Sequence, residues 1–318
     1  MPLNPALSPP SMPRPQRARG DFSGLWVPLV TPFSPSGDAV DHAGLDALAR
    51  RLASEGIAGF VACGSTGEAA ALDEQEQDAV LATILDAAGS LPVVMGLSGH
   101  HLDHAVQRTR RLGAWPLAGL LVPAPHYIRP SQQGLLQWFH AIADASAMPL
   151  IVYDIPYRTG ATLELGTLRT LAAHPHIRAI KDCGGNASKT QALIADGALQ
   201  VLAGEDAHIF TTAALGGAGA IAASAHWQPA RLVQCLEAIE RGDLGRAREL
   251  WRALLPLIEA FSAEPNPAPV KALLAAEGWM DGTLRAPMAP VSAALALRLQ
   301  EAARAQARQL QALDRAVA

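Results

Sequence analysis

Short apolar runs recur along the chain at regular intervals, and each ends in Gly, Pro or a polar residue. They are Leu25–Val30, Gly59–Cys63, Pro92–Leu97, Gly119–Val122, Leu150–Ile155, Ile177–Lys181, Gln200–Gly204 and Gly219–Ala223. Near-continuous apolar character marks parallel strands covered on both faces. Between them lie segments whose apolar residues recur at helical spacing: Asp41–Glu55, Asp73–Ala88, Leu102–Leu112, Ser131–Ala145, Leu163–Ala172, Ser188–Ala195, Ala207–Leu215 and Pro229–Arg241. Asp41 and Asp73 are placed to cap two of these helices. Eight strand–helix alternations predict an α/β protein of the (β/α)8 barrel type. A doubly wound sheet competes, but it normally carries a glycine-rich dinucleotide fingerprint after its first strand, and none stands there.

Three further helical stretches follow the eighth unit, at Leu244–Phe261, Pro269–Glu277 and Pro290–Leu310, with a turn expected at Glu264-Pro265-Asn266-Pro267. A barrel does not require them, so they are expected to pack on its outside or to form a subunit contact. The pattern divides the chain into a flexible Pro/Arg-rich tail over 1–20, a barrel core over 21–228, and the last barrel helix with a C-terminal helical extension over 229–318. Proline density in the tail blocks helix and ladder formation, and no apolar stretch there resembles a secretion signal.

Composition narrows the function classes. The chain is 50% hydrophobic and 17% charged, enough for a large core. A net charge of −4 leaves no basic stripe for phosphates, so nucleic acid is not an expected partner. No stretch reaches the length of a membrane span. Cys63, Cys183 and Cys235 are too far apart for a disulfide framework or a thiolate zinc site, and a cytoplasmic setting is expected.

Scarcity sharpens the candidate chemistry. There are three lysines, Lys181, Lys189 and Lys271, and three tyrosines, Tyr127, Tyr153 and Tyr157. Barrel enzymes place functional groups at the C-terminal ends of strands. Lys181 closes the sixth apolar run, where an apolar setting favours the free amine that attacks carbonyls to form Schiff bases. Its alternative is a structural ion pair with Asp182 or Glu205. Lys189 lies in a polar helical stretch and is expected to be solvated; Lys271 begins a helix away from any strand end. Tyr153, ending the fifth run, is placed to reach the Lys181 amine, and Ser65 and Tyr127 stand in loops on the same face. Tyr153 is otherwise a core aromatic.

Ser65-Thr66-Gly67 offers hydroxyls and amides to a carboxylate, or forms an ordinary turn with Glu68 capping its amides. Arg158 is either a bidentate carboxylate clamp or a surface arginine. Gly204 ends the seventh run. His100 and His104, four apart on a helix, suit a divalent metal or a solvated helix start. Gly216–Gly219 suits a phosphate or close backbone packing. Cys183 faces the same side as Lys181, as a reactive thiol or a small core filler.

The motifs Gly64-Ser65-Thr66-Gly67-Glu68, Tyr127-Ile128-Arg129-Pro130-Ser131, Tyr153 through Gly160, Ile180-Lys181-Asp182 and Glu264 through Lys271 together resemble the dihydrodipicolinate synthase/N-acetylneuraminate lyase family. The likeness runs from about Gly24 to Leu299. It implies a (β/α)8 lyase of the Schiff-base class. Lys181 would form the imine with pyruvate, without any other cofactor or metal. Tyr153, Ser65 and Tyr127 would make a proton relay, with Tyr127 lent by a neighbouring subunit of a homotetramer or homodimer. Ser65 and Thr66 would hold the pyruvate carboxylate; Ile221 would bring a backbone carbonyl near the lysine, and Gly204 would belong to the substrate pocket. Arg158, which points to the dihydrodipicolinate synthase branch, would hold the carboxylate of L-aspartate semialdehyde in a step of lysine biosynthesis.

Departures from the family pattern at His126, His100, His104, Glu74 and Gln77 imply weak inhibition by lysine or none. Tyr157, where the family often has serine, leaves room for a related aldolase or dehydratase acting on a sugar acid or another 2-oxo acid.

Overall fold

A computed structural model describes residues 20–317. The tail expected over 1–20 lies outside the described residues except for Gly20. Eight parallel strands close a barrel in sequence order: β1 Gly24–Pro28, β2 Gly59–Ala62, β3 Val93–Gly96, β4 Gly119–Pro123, β5 Leu150–Asp154, β6 Ile177–Asp182, β7 Gln200–Ala203 and β8 Gly219–Ile221. Each expected strand is present, with ends shifted by one or two residues. Closure pairs β1 with β8 at Gly24 opposite Gly219. Gly219 has φ +147°, and a Cβ there would stand 2.1 Å from the Gly24 carbonyl oxygen. Gly219, the first residue of β8, therefore serves close packing of the seam.

The period of two along each strand sorts side chains into two cores. Phe22, Trp26, Val61, Val94, Leu121, Ile151, Leu202 and Ile221 fill the barrel interior, and a larger cluster lies between barrel and helices. The expected caps are formed: Asp41 accepts from the Gly44 amide, and Asp73 forms a capping box with Glu76. The last helix begins at Ala293 and continues to Val317, well past the expected end, and it packs on the Leu244–Phe261 helix. Pro156–Thr159 forms one short helical turn after β5 that apolar periodicity does not reveal. No helix among the described residues is long and apolar enough to cross a membrane.

One buried histidine ties the segment after β1 to the segment after β8. The His226 Nε2 accepts from the Val30 amide at 3.1 Å, so its Nδ1 carries the proton that meets the Ala223 carbonyl at 2.8 Å. Burial depresses this ring to about 4. A neutral histidine in the fold and an ordinary one in the unfolded chain mean that stability is full above about pH 6.5 and is lost as pH falls towards 4. Urea unfolding at pH 7 and pH 4 should show a loss of about 3 kcal/mol from this group. A His226→Asn variant should have a correspondingly flatter pH dependence, and an unchanged slope would contradict the assignment.

Candidate active site

Tyr153 and Lys181 are register partners on neighbouring strands β5 and β6. Alternation places Lys181 in phase with Ala179 and Cys183, both of the barrel interior, and Tyr153 in phase with Ile151 and Ile155. The side chains therefore meet inside the C-terminal mouth. The Lys181 Nζ lies 4.4 Å from the centroid of the Tyr153 ring. Lys181 is buried, and among the described residues it makes no ion pair within 4.0 Å. Asp182, one expected partner, is instead occupied by the Thr190 hydroxyl at 2.5 Å and the Gly184 amide at 2.8 Å.

Burial drives the Lys181 amine below its ordinary value; the nearby Cys183, Asp206 and Glu205 oppose that shift. Asp206 is half-buried, desolvation raises its carboxyl as well, and it accepts from the Ser224 amide at 2.6 Å. Burial also lifts the Tyr153 phenol well above its usual value, with hydrogen bonding to Ser65 acting in the opposite direction. Cys183 is buried in the interior cluster, and burial keeps its thiol well above the usual value. It is thus a protonated filler in the resting site.

Gly204 has a steric role. A Cβ there would stand 2.4 Å from the Cys183 sulfur and 2.9 Å from the Lys181 Cγ, so the bare backbone makes room for the lysine stem. Ile221 lies opposite Trp26 across the β1–β8 seam and belongs to the same interior cluster as Tyr153.

Tyr153 opens onto a cavity of about 1230 Å³ lined also by Ser65, Tyr127, Tyr157, Arg158 and Asn266. Ser65 and Thr66 sit in the turn after β2, between Cys63 and Glu68, both of which have positive φ (50° and 53°). Gly96 of β3 permits this turn: a Cβ there would stand 2.3 Å from the Cys63 carbonyl oxygen. Thr66 is buried and accepts from the Asn266 amide at 2.9 Å. Arg158 is exposed at the cavity wall and donates to the Asn266 carbonyl at 3.3 Å. Tyr127, with φ 75°, is 90% exposed at the rim.

Three expectations are corrected. Lys189 is not solvated: it is buried and paired with Asp154 of β5, and it also donates to the Leu163 carbonyl at 3.0 Å. Lys271 is not remote from the strand ends, because its Nζ meets Glu68 at 2.6 Å. Glu68 consequently accepts from Lys271 rather than capping its own turn. The chain after the barrel does more than pack outside it, since Asn266 and Arg285 line the cavity. Asn266 and Arg285 are the contributors that sequence reasoning missed. A signal did exist for Lys271, which stands in a helix apolar on nearly all sides. The His104 ring stacks on His101 at 4.1 Å, and no group of three His, Cys, Asp or Glu among the described residues is arranged to hold a metal ion.

Comparison with known proteins identifies the family and agrees with the fold. Residues 21–306 match the model of the dihydrodipicolinate synthetase family. The chain is 38% identical over 287 residues to a 4-hydroxy-tetrahydrodipicolinate synthase of Sorangium cellulosum, covering 89% of this chain and 95% of the relative. The 4-hydroxy-tetrahydrodipicolinate synthase of Methylacidiphilum fumariolicum superposes with a TM-score of 0.89 at 27% identity, covering 92% of this chain and 99% of that one. A chloride-inhibited dihydrodipicolinate synthase of Acinetobacter baumannii, solved in complex with pyruvate, superposes with a TM-score of 0.87 at 30% identity over 90% of this chain and 99% of that one. An eight-stranded parallel barrel, matched along nearly its whole length, makes this chain a member of the dihydrodipicolinate synthetase family.

Proposed function

We propose that the protein is a Schiff-base lyase that condenses pyruvate with L-aspartate semialdehyde to give 4-hydroxy-tetrahydrodipicolinate, in lysine biosynthesis. The observation that carries this reading is the buried Lys181 amine, without an ion-pair partner among the described residues, facing the Tyr153 ring at the barrel mouth. The neutral amine attacks the pyruvate ketone, and loss of water leaves an imine. Tyr153 moves the protons that carbinolamine collapse requires, through Ser65 and Tyr127. The iminium nitrogen withdraws electrons, so a methyl proton departs and an enamine forms. Its carbon attacks the aldehyde, whose oxygen takes up a proton to become the hydroxyl while the imine to Lys181 re-forms. The amine of the second substrate then adds to the imine carbon and displaces Lys181, closing the ring. Ser65 and Thr66 receive the pyruvate carboxylate, Ile221 and Gly204 bound the pocket around the lysine, and no metal or further cofactor takes part.

Tyr127 stands exposed at the rim beside the half-exposed Ile128, which supports a homo-oligomer in which this tyrosine completes a neighbouring copy's relay. The three cysteines are buried free thiols, in keeping with a cytoplasmic enzyme. Reduction with borohydride in the presence of pyruvate should fix one adduct on Lys181, and product should form with aspartate semialdehyde ahead of other aldehydes. An adduct elsewhere would refute the reading.

Arg158→Ala tests recognition of the second substrate. A lost charge-assisted contact corresponds to about a 10- to 100-fold rise in KM for aspartate semialdehyde, while KM for pyruvate stays near its original value. Initial rates with each substrate varied in turn decide this. Equal losses for both would remove the assigned role.

A further inference from the structure

The turn that carries Ser65 and Thr66 is held by residues 200 or more positions later in the chain. Cys63 and Glu68, at its two ends, are non-glycine residues in left-handed conformations, which persist only where surrounding contacts fix them. Glu68 supplies that fixation. Its carboxylate accepts from the Lys271 Nζ at 2.6 Å and from the Arg285 amide at 3.2 Å. Lys271 is fully buried and spends a second hydrogen on the Thr283 carbonyl at 2.8 Å. Lys271 and Arg285 both lie over the Phe33 ring, at 4.3 and 4.5 Å from its centroid. The Arg285 guanidinium then reaches the Ala71 carbonyl at 2.8 Å and both carboxylate oxygens of Glu76, at 2.7 and 2.6 Å. The turn is thus gripped where Glu68 ends it and again just beyond.

A buried ion pair adds little net stability over an apolar pair of the same shape, because desolvation offsets its attraction. What it does supply is direction: each bond fixes where the turn can sit. We propose that Glu68, Lys271 and Arg285 are positioning residues that set the Ser65 and Thr66 donors for the pyruvate carboxylate, so that the segment after the barrel is part of the pyruvate site. This rests on the pyruvate reading given above.

The pyruvate concentration that gives half-maximal borohydride-trapped adduct reports on donor placement, and thermal unfolding run in parallel reports on the fold. The Glu68→Gln/Lys271→Met double variant replaces the pair with neutral groups of similar volume. It should unfold close to the unaltered protein yet require about tenfold more pyruvate. Glu68→Asp keeps both charges and shortens the tether by one methylene; it should give a smaller rise of the same sign, and it decides the matter if the double variant does not fold. An unchanged pyruvate requirement in the folded variants overturns the positioning role while leaving the proposed function intact. An unaltered protein that forms no adduct overturns both.

Discussion

Replacing Lys181 with methionine is expected to reduce turnover by at least about a thousandfold and to abolish the borohydride-trapped pyruvate adduct, while the thermal midpoint stays level or rises. The two halves of this expectation share one cause. An amine inside a barrel with no ion-pair partner among the described residues is costly to desolvate, and a thioether stem of similar length fills the same space without that cost. Activity and stability should therefore move in opposite directions, which a side chain kept only for packing would not produce. Peptide mapping of the unaltered protein gives a second check, because just two other lysines exist. A Lys181→Met variant that still traps pyruvate, with the label on Lys189 or Lys271, would end the account.

Tyr153→Phe is the second large effect. The ring that faces the amine remains, so packing and the ring–amine contact survive; the hydroxyl alone is removed. Burial keeps this phenol protonated far above neutral pH, so in the resting site it is ready to donate a proton before it accepts one. Loss of a positioned proton carrier lowers rates by about 10²- to 10⁴-fold. Single-turnover formation of the adduct should slow along with steady-state turnover, because collapse of the carbinolamine needs the same proton. A variant that retains a third or more of the original rate would show that Tyr153 acts only as a wall.

How far these side chains could be foreseen depends on the distance over which their partners act. Lys181 was legible because it ends an apolar run and shares the inward phase of Ala179 and Cys183. Tyr153 followed, since sequential winding makes β5 and β6 neighbours. Lys189 misled because its sequence neighbours Ser188, Thr190 and Gln191 are polar; its burial comes from Asp154, 35 positions away. Asn266 and Arg285 act across about 200 positions, and no local periodicity carries that information. The strand pattern specified where the barrel mouth lies, but not which part of the chain returns to cover it.

The placement of the lysines has a practical consequence. All three are buried, and arginines supply the remaining side-chain cations counted with them. Activated esters and dialdehydes will find no lysine on the described surface, so coupling to a resin or a dye should leave it largely untouched. Inside, Lys189 and Lys271 are already engaged by Asp154 and Glu68. Among the described residues, Lys181 is the one lysine amine left without a carboxylate partner, and the selectivity proposed for its capture of a small keto acid would come from how the other two amines are occupied.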